Sequence, residues 1–157
     1  MVSAMEKEAQ LLSSVQALMK AQSTRMGLYK EFNDAFQDYL DDKCPEEQYY
    51  SVCRLVTEGF QEVSSEIQSI EQDMNDEYNR KDIGTMIRRL QEKEKAKLHE
   101  TVHLQIYTIE SRKGDKDYDA TLQEHNARLN DVRKDIDEIW DEIRQESAEL
   151  SYALSAA

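Results

Sequence analysis

Residues 97–103 read Lys-Leu-His-Glu-Thr-Val-His, which sets His99, Glu100 and His103 at H-E-x-x-H spacing. On a helix, two histidines four residues apart share a flank and can hold a zinc ion. The glutamate beside them can then polarise a metal-bound water. Such a site would make the chain a metallopeptidase. A third ligand would have to come from Glu124 or His125, about one gluzincin spacing downstream.

The helix that carries these residues must aim them at a common site. Its predicted inward stripe is Ile83, Ile87, Leu90, Glu94, Leu98, Thr101, Gln105 and Ile109. With Leu98 as the centre and a step of about 100° per residue, His99 falls at about 100°, His103 at about 140° and Glu100 at about 200°. The motif is therefore expected on the outer flank, with Glu100 on the far face beside Arg89 and Lys93. The surrounding residues also depart from the zincin pattern. Lys97 precedes the pair, Gln105 stands at a normally apolar position, and Ile106 replaces the metzincin glycine. The reading favoured here is a solvated helix flank, with no catalytic residue, no metal ligand and no cofactor. Zinc peptidase chemistry at His99, Glu100 and His103 is the remote alternative.

The same helix carries a basic run from Arg80 to Lys97, in which Arg89, Lys93 and Lys97 form an i, i+4 row. Such a row could contact phosphate groups or an acidic partner. The plainer expectation is that it faces the acidic helices of its own chain, or water, with local charge pairs. No aromatic residue interleaves with it, so a stacking platform for single-stranded nucleic acid is not suggested. Tyr29, Phe32, Phe36, Tyr39, Tyr49 and Phe60 gather near one predicted hairpin and read as its packed core. The acids of the last helix, Asp131, Asp135, Asp137, Glu138, Asp141 and Glu142, sit mostly off its apolar stripe and read as a solvated or partner-facing surface. There is neither a phosphate-binding glycine loop nor a G-x-S-x-G motif.

The elements follow from spacing and punctuation. The 157-residue chain holds only four glycines and one proline, and its apolar residues recur at helical steps. That composition predicts an all-α protein, an elongated antiparallel four-helix bundle or coiled-coil-like helical hairpins, forming a single helical domain over 1–157. The helices are expected at about 3–41, 46–77, 82–112 and 117–152. The first stripe is Leu11, Val15, Leu18, Gln22, Met26, Tyr29, Phe32, Phe36 and Tyr39. The second is Tyr49, Val52, Val56, Phe60, Val63, Ile67, Ile70 and Met74. The fourth runs from Tyr118 through Leu122, His125, Leu129, Val132, Ile136, Ile139 and Ile143 to Leu150. Ser3 and Glu6 form a capping box, and Pro45 suits a first helical position. Asn79 or Asp82 would cap the third helix, Gly114 would end it, and Asp115 or Asp117 would cap the fourth. The terminal Ala-Leu-Ser-Ala-Ala is expected to fray.

With 20 Lys and Arg against 33 Asp and Glu, the net charge is -13. A protein whose whole surface clamps nucleic acid or anionic lipid would be basic. The start shows no apolar signal core, and no stretch approaches a membrane span, so an intracellular protein with no membrane association is expected. Two cysteines, Cys44 and Cys53, make no disulfide framework.

Several residues also read together. Arg25, Tyr29, Phe32, Phe36, Tyr39 and Leu40 lie in the first helix. Tyr50, Val56, Thr57, Phe60, Ser64, Ile67 and Glu71 lie in the second. Ile87, Arg88, Leu90, Gln91, Glu94, Lys95, Lys97, Leu98, Thr101 and Gln105 lie in the third. Over roughly residues 11–110 this pattern resembles the "required for excision 1-B" domain family. The resemblance implies an accessory role in excision repair of DNA and brings no catalytic residues. His99, Glu100 and His103 are not part of the pattern. Two function classes follow. One is a non-enzymatic nuclear repair factor acting through protein contacts, with direct DNA contact by the basic row open. The other is a structural helical component of a larger cytoskeletal or axonemal, ciliary assembly in the cytoplasm. In both, the partners are other proteins met through helical faces.

Overall fold

The first helix starts where its side chains satisfy the free amides of the first turn. Ser3 Oγ accepts from the Glu6 amide at 3.1 Å, and the Glu6 carboxylate accepts from the Ser3 amide at 3.4 Å. This is the reciprocal capping box that the spacing indicated. The computed structural model describes residues 3–114 and 116–156. They form four helices: α1 (Ala4–Leu40), α2 (Glu46–Asp76), α3 (Lys81–Arg112) and α4 (Asp119–Ser155). Among the described residues there is no strand, and the fold is all-α. Among the described residues no helix is long and apolar enough to cross a membrane.

The turns are short because a few residues adopt left-handed backbone. Asp42, Asn79 and Gly114 have φ of 58°, 50° and 79°. Asparagine and aspartate tolerate this region better than other residues with a side chain, and glycine adopts it freely. Asn79 therefore turns the chain instead of capping α3. The first helical bond there runs from the Gly84 amide to the Arg80 carbonyl at 3.0 Å, which puts Asn79 outside the helix and Asp82 within its first turn. Pro45 is the N-cap of α2, one position earlier than expected, with extended backbone at φ -73° and ψ 159°. Asp117 Oδ1 accepts from the Asp119 amide at 3.0 Å and helps open α4. The expectation for Asp115 falls outside the described residues. α4 continues to Ser155, where the terminal sequence had indicated fraying.

The chain divides into two compact units. The first joins α1, α2 and the first turns of α3, up to Ile87, with the last turns of α4 from Ile143. α1 and α2 run antiparallel, as their pairings show: Ser14 with Tyr78, Tyr29 with Phe60, and Phe36 with Tyr49. Val15, Leu18, Val56, Ile67, Met74, Ile83, Ile87 and Ile143 are essentially inaccessible to water. Each such aliphatic side chain contributes roughly 1.5–3 kcal/mol relative to an exposed one. Arg80 bridges to Asp82 and to Glu146 of α4, both at 2.9 Å.

One position of the α1 stripe is corrected. Met26 is exposed, and Arg25 takes the inward place at 4% exposure. Steps of three and four are both helical, so the seam goes Gln22, Arg25, Tyr29 and not Gln22, Met26, Tyr29. The guanidinium is accommodated because its Nη1 donates to Gln22 Oε1 at 2.9 Å.

The second unit comprises α3 from Arg88 and α4 up to Glu142. It too is an antiparallel hairpin, since Arg89 meets Glu142, Lys93 meets Asp135, Glu100 meets His125, and Tyr107 meets Tyr118. Leu90, Leu129, Ile136 and Ile139 are buried toward one end.

Candidate functional site

The residues singled out for chemistry all lie in the second unit. The buried arc of α3 there is polar: Glu94, Lys97, Glu100, Thr101 and Gln105 are buried, and His125 of α4 joins them. Thr101 Oγ1 donates to the Lys97 carbonyl at 2.7 Å, which satisfies a hydroxyl within its own helix. Leu98, taken as the centre of the stripe, is only half-buried. The inward arc is centred nearer Thr101 and reaches as far as Glu100.

Glu100 is thus a correction. It was expected on the outer face, and it is 8% exposed. Its Oε2 accepts from His125 Nδ1, and its Oε1 lies 3.5 Å from Arg128 Nε. Arg128 also lies 3.9 Å from Glu124 of its own helix. The physical reason is that α4 covers this side of α3 with a histidine and an arginine. A carboxylate can be buried there because both of its oxygens are met.

The two histidines of the motif go elsewhere. His99 is exposed, and His103 is half-buried, with its Nδ1 donating to the His99 carbonyl at 2.7 Å. The His99 and His103 rings lie 4.1 Å apart, and the His103 ring stacks on His125 at 5.4 Å and 13°. Tyr107 also stacks on His125, at 5.4 Å, and touches Tyr118. The Glu100 carboxylate is thus engaged by His125 and Arg128 of α4, while the two histidine rings of the motif lie side by side. Among the described residues no three His, Cys, Asp or Glu side chains assemble as a metal-ligand set. What the cluster can do is join two helices through a buried acid–imidazole pair inside an aromatic stack.

The basic row is split by its surroundings. Arg89 Nη1 pairs with Glu142 at 3.1 Å and Lys93 Nζ with Asp135 at 2.9 Å, each about half exposed. Lys97 is 9% exposed. At the start of α3, hydrogen bonds from Arg80 hold the Asp82 carboxyl below the usual carboxylate range. The same bonds raise the Arg80 guanidinium, which stays charged.

The residues of the family-like pattern are packing residues. Tyr29, Phe32, Phe60, Leu90, Thr101 and Gln105 are buried, and Phe36, Tyr39, Leu40 and Leu98 are half-buried. Tyr29 meets Phe60 with ring centroids 4.7 Å apart, and Tyr39 stacks on Tyr49 at 5.1 Å and 5°. Burial pushes the Tyr49 phenol well above its ordinary range, and burial raises the Cys53 thiol as well. Sequence reasoning missed the Glu100–His125–Arg128 contact. Its one trace was His125 standing on the apolar stripe of α4, where an imidazole needs a partner.

Comparison with known proteins adds two findings. The family model described as DNA repair REX1-B matches residues 13–108. The chain is also 33% identical over 133 residues to the heterochromatin silencing protein rss1 of Schizosaccharomyces pombe (strain 972 / ATCC 24843), an alignment covering 85% of this chain and 97% of that protein.

Proposed function

Since the chain belongs to the DNA repair REX1-B family, we propose that it is a non-enzymatic accessory factor in DNA excision repair, acting in the nucleus through contacts with other proteins. The family match carries this reading. The placement of the polar residues supports it. The one motif that spelled a catalytic site has its acid engaged by α4, and Arg89 and Lys93 of α3 are paired with Glu142 and Asp135 of α4. The mechanism is then one of surface presentation. A helical scaffold offers faces to partners and leaves bond chemistry to them.

Cells lacking the chain should clear ultraviolet photoproducts from DNA more slowly than parental cells, and re-expression should restore the rate. Unchanged clearance would remove the repair reading. The similarity to a silencing protein favours a second, chromatin-based reading. Its test is a reporter gene placed in heterochromatin, which should become derepressed when the chain is deleted. The cytoskeletal or axonemal reading rests on long, narrow-seamed helices and high charge, and family membership favours the nuclear one.

A further inference from the structure

A cleft of about 330 Å³ opens within the first unit, between the end of α1 and the start of α2. Its apolar surface comes from Ala35, Val52 and Leu55, and its acidic side from Glu31, Asp34 and Asp38. Leu55 is 66% exposed, far more than any residue of the α2 seam. The three acids rise over about 10 Å of helix at 1.5 Å per residue. Among the described residues that line the cleft there is no lysine or arginine. Lys30, one turn before Asp34, pairs with that acid at 2.8 Å, with side chains 78% and 63% exposed. An ion pair that exposed is worth little and is readily exchanged for another cation.

We infer that this cleft docks a basic peptide segment of a partner protein, with one aliphatic side chain seated against Leu55 and Val52 and flanking lysines or arginines on Glu31, Asp34 and Asp38. Charge complementarity selects this occupant. A neutral apolar segment would bring no cation to Glu31 and Asp38 and none beyond the exposed Lys30 to Asp34, and an acidic segment or a nucleic acid would be repelled. The aliphatic anchor distinguishes it from diffuse attraction to an acidic surface, because only an anchored side chain removes Leu55 from water. The inference deepens the protein-contact reading and rests on it. It is tested on purified protein, whereas that reading is tested in cells, so either can fail alone.

The test uses a short fluorescent peptide with a leucine between lysine–arginine pairs, titrated with the full chain and followed by anisotropy. Two further peptides replace the leucine by serine or the basic residues by glutamate. Saturable micromolar binding is expected for the first peptide only, weakened about tenfold or more by Asp34→Lys with Asp38→Lys and by Leu55→Ser. All three positions are exposed, so the variants should keep the wild-type helical circular dichroism. Absence of saturable binding would overturn the proposal. So would equal binding of the serine peptide, equal binding by the Leu55→Ser protein, or a self-association in sedimentation that the same variants abolish, which would identify a second copy as the occupant.

Discussion

The two hairpins are held together by different physics. In the first unit the seam between α1 and α2 is aliphatic and aromatic, with Val15, Leu18, Val56, Ile67 and Met74 withdrawn from water. In the second unit the α3–α4 seam keeps an aliphatic end at Leu90, Leu129, Ile136 and Ile139 and then turns polar, through Glu94, Lys97, Glu100, Thr101, Gln105 and His125. Burying an aliphatic side chain asks only for volume and periodicity. Burying a carboxylate asks for a named partner at a fixed place. The first hairpin is therefore tolerant in detail and expensive to hollow out. The second is selective, and each of its polar members matters through its partner.

Four perturbations test that contrast. The largest effect should come from Ile67→Ala in the first seam, where a fully enclosed side chain is truncated. A loss of about 2–5 kcal/mol in urea unfolding is expected. A loss below about 1 kcal/mol would mean that this seam is loosely packed. Next comes Glu100→Leu, which leaves the buried His125 imidazole without its acceptor. The expected cost is about 1–3 kcal/mol, and adding His125→Leu should recover part of it, so that the double variant costs less than the sum of the singles. Strict additivity would deny the pair any role in the second hairpin.

A smaller effect concerns pH. Hydrogen bonds from Arg80 lower the folded-state pKa of Asp82. A lowered carboxylate pKa stabilises the fold above the unfolded value, near about 3.9, and that contribution is lost as pH falls through the folded value. Asp82→Asn should therefore cost less than about 1 kcal/mol at neutral pH and nothing at pH values well below about 3. A penalty that grew on acidification would have the wrong sign. The smallest effect is expected for Lys93→Ala, which removes a half-exposed pair with Asp135. A few tenths of a kcal/mol, vanishing in high salt, is the outcome to check by thermal unfolding.

Legibility in the sequence follows the same divide. The second stripe, from Tyr49 to Met74, could be read residue by residue, because apolar side chains at steps of three and four have a single economical placement. The capping box at Ser3 and the glycine at the end of α3 were legible for a similar reason, since a local geometry dictates the residue type. Arg25 was not, because choosing it over Met26 requires knowing that Gln22 will accept from it. Glu100 was not, because its burial is decided by a histidine and an arginine about 25 residues later, at His125 and Arg128. The H-E-x-x-H spelling was visible at once and said least, since spacing alone cannot report which way α4 will pull the acid. The acidic cleft left a trace only in the step from Glu31 to Asp38, and the exposure of Leu55 had to be seen.

The first unit is closed by residues far apart in the sequence. Its α1–α2 hairpin and the opening turns of α3 are synthesised well before Ile143 and Leu150. As the polypeptide leaves the ribosome, the apolar faces that meet those residues have to wait for the intervening hairpin to be made. Each hairpin can zip locally and fast, whereas the return of the last turns of α4 is a long-range event with a large loop-closure cost. Truncation shortly before Ile143 would therefore yield a chain with two assembled hairpins and an open flank, a species for chaperones and proteases to find.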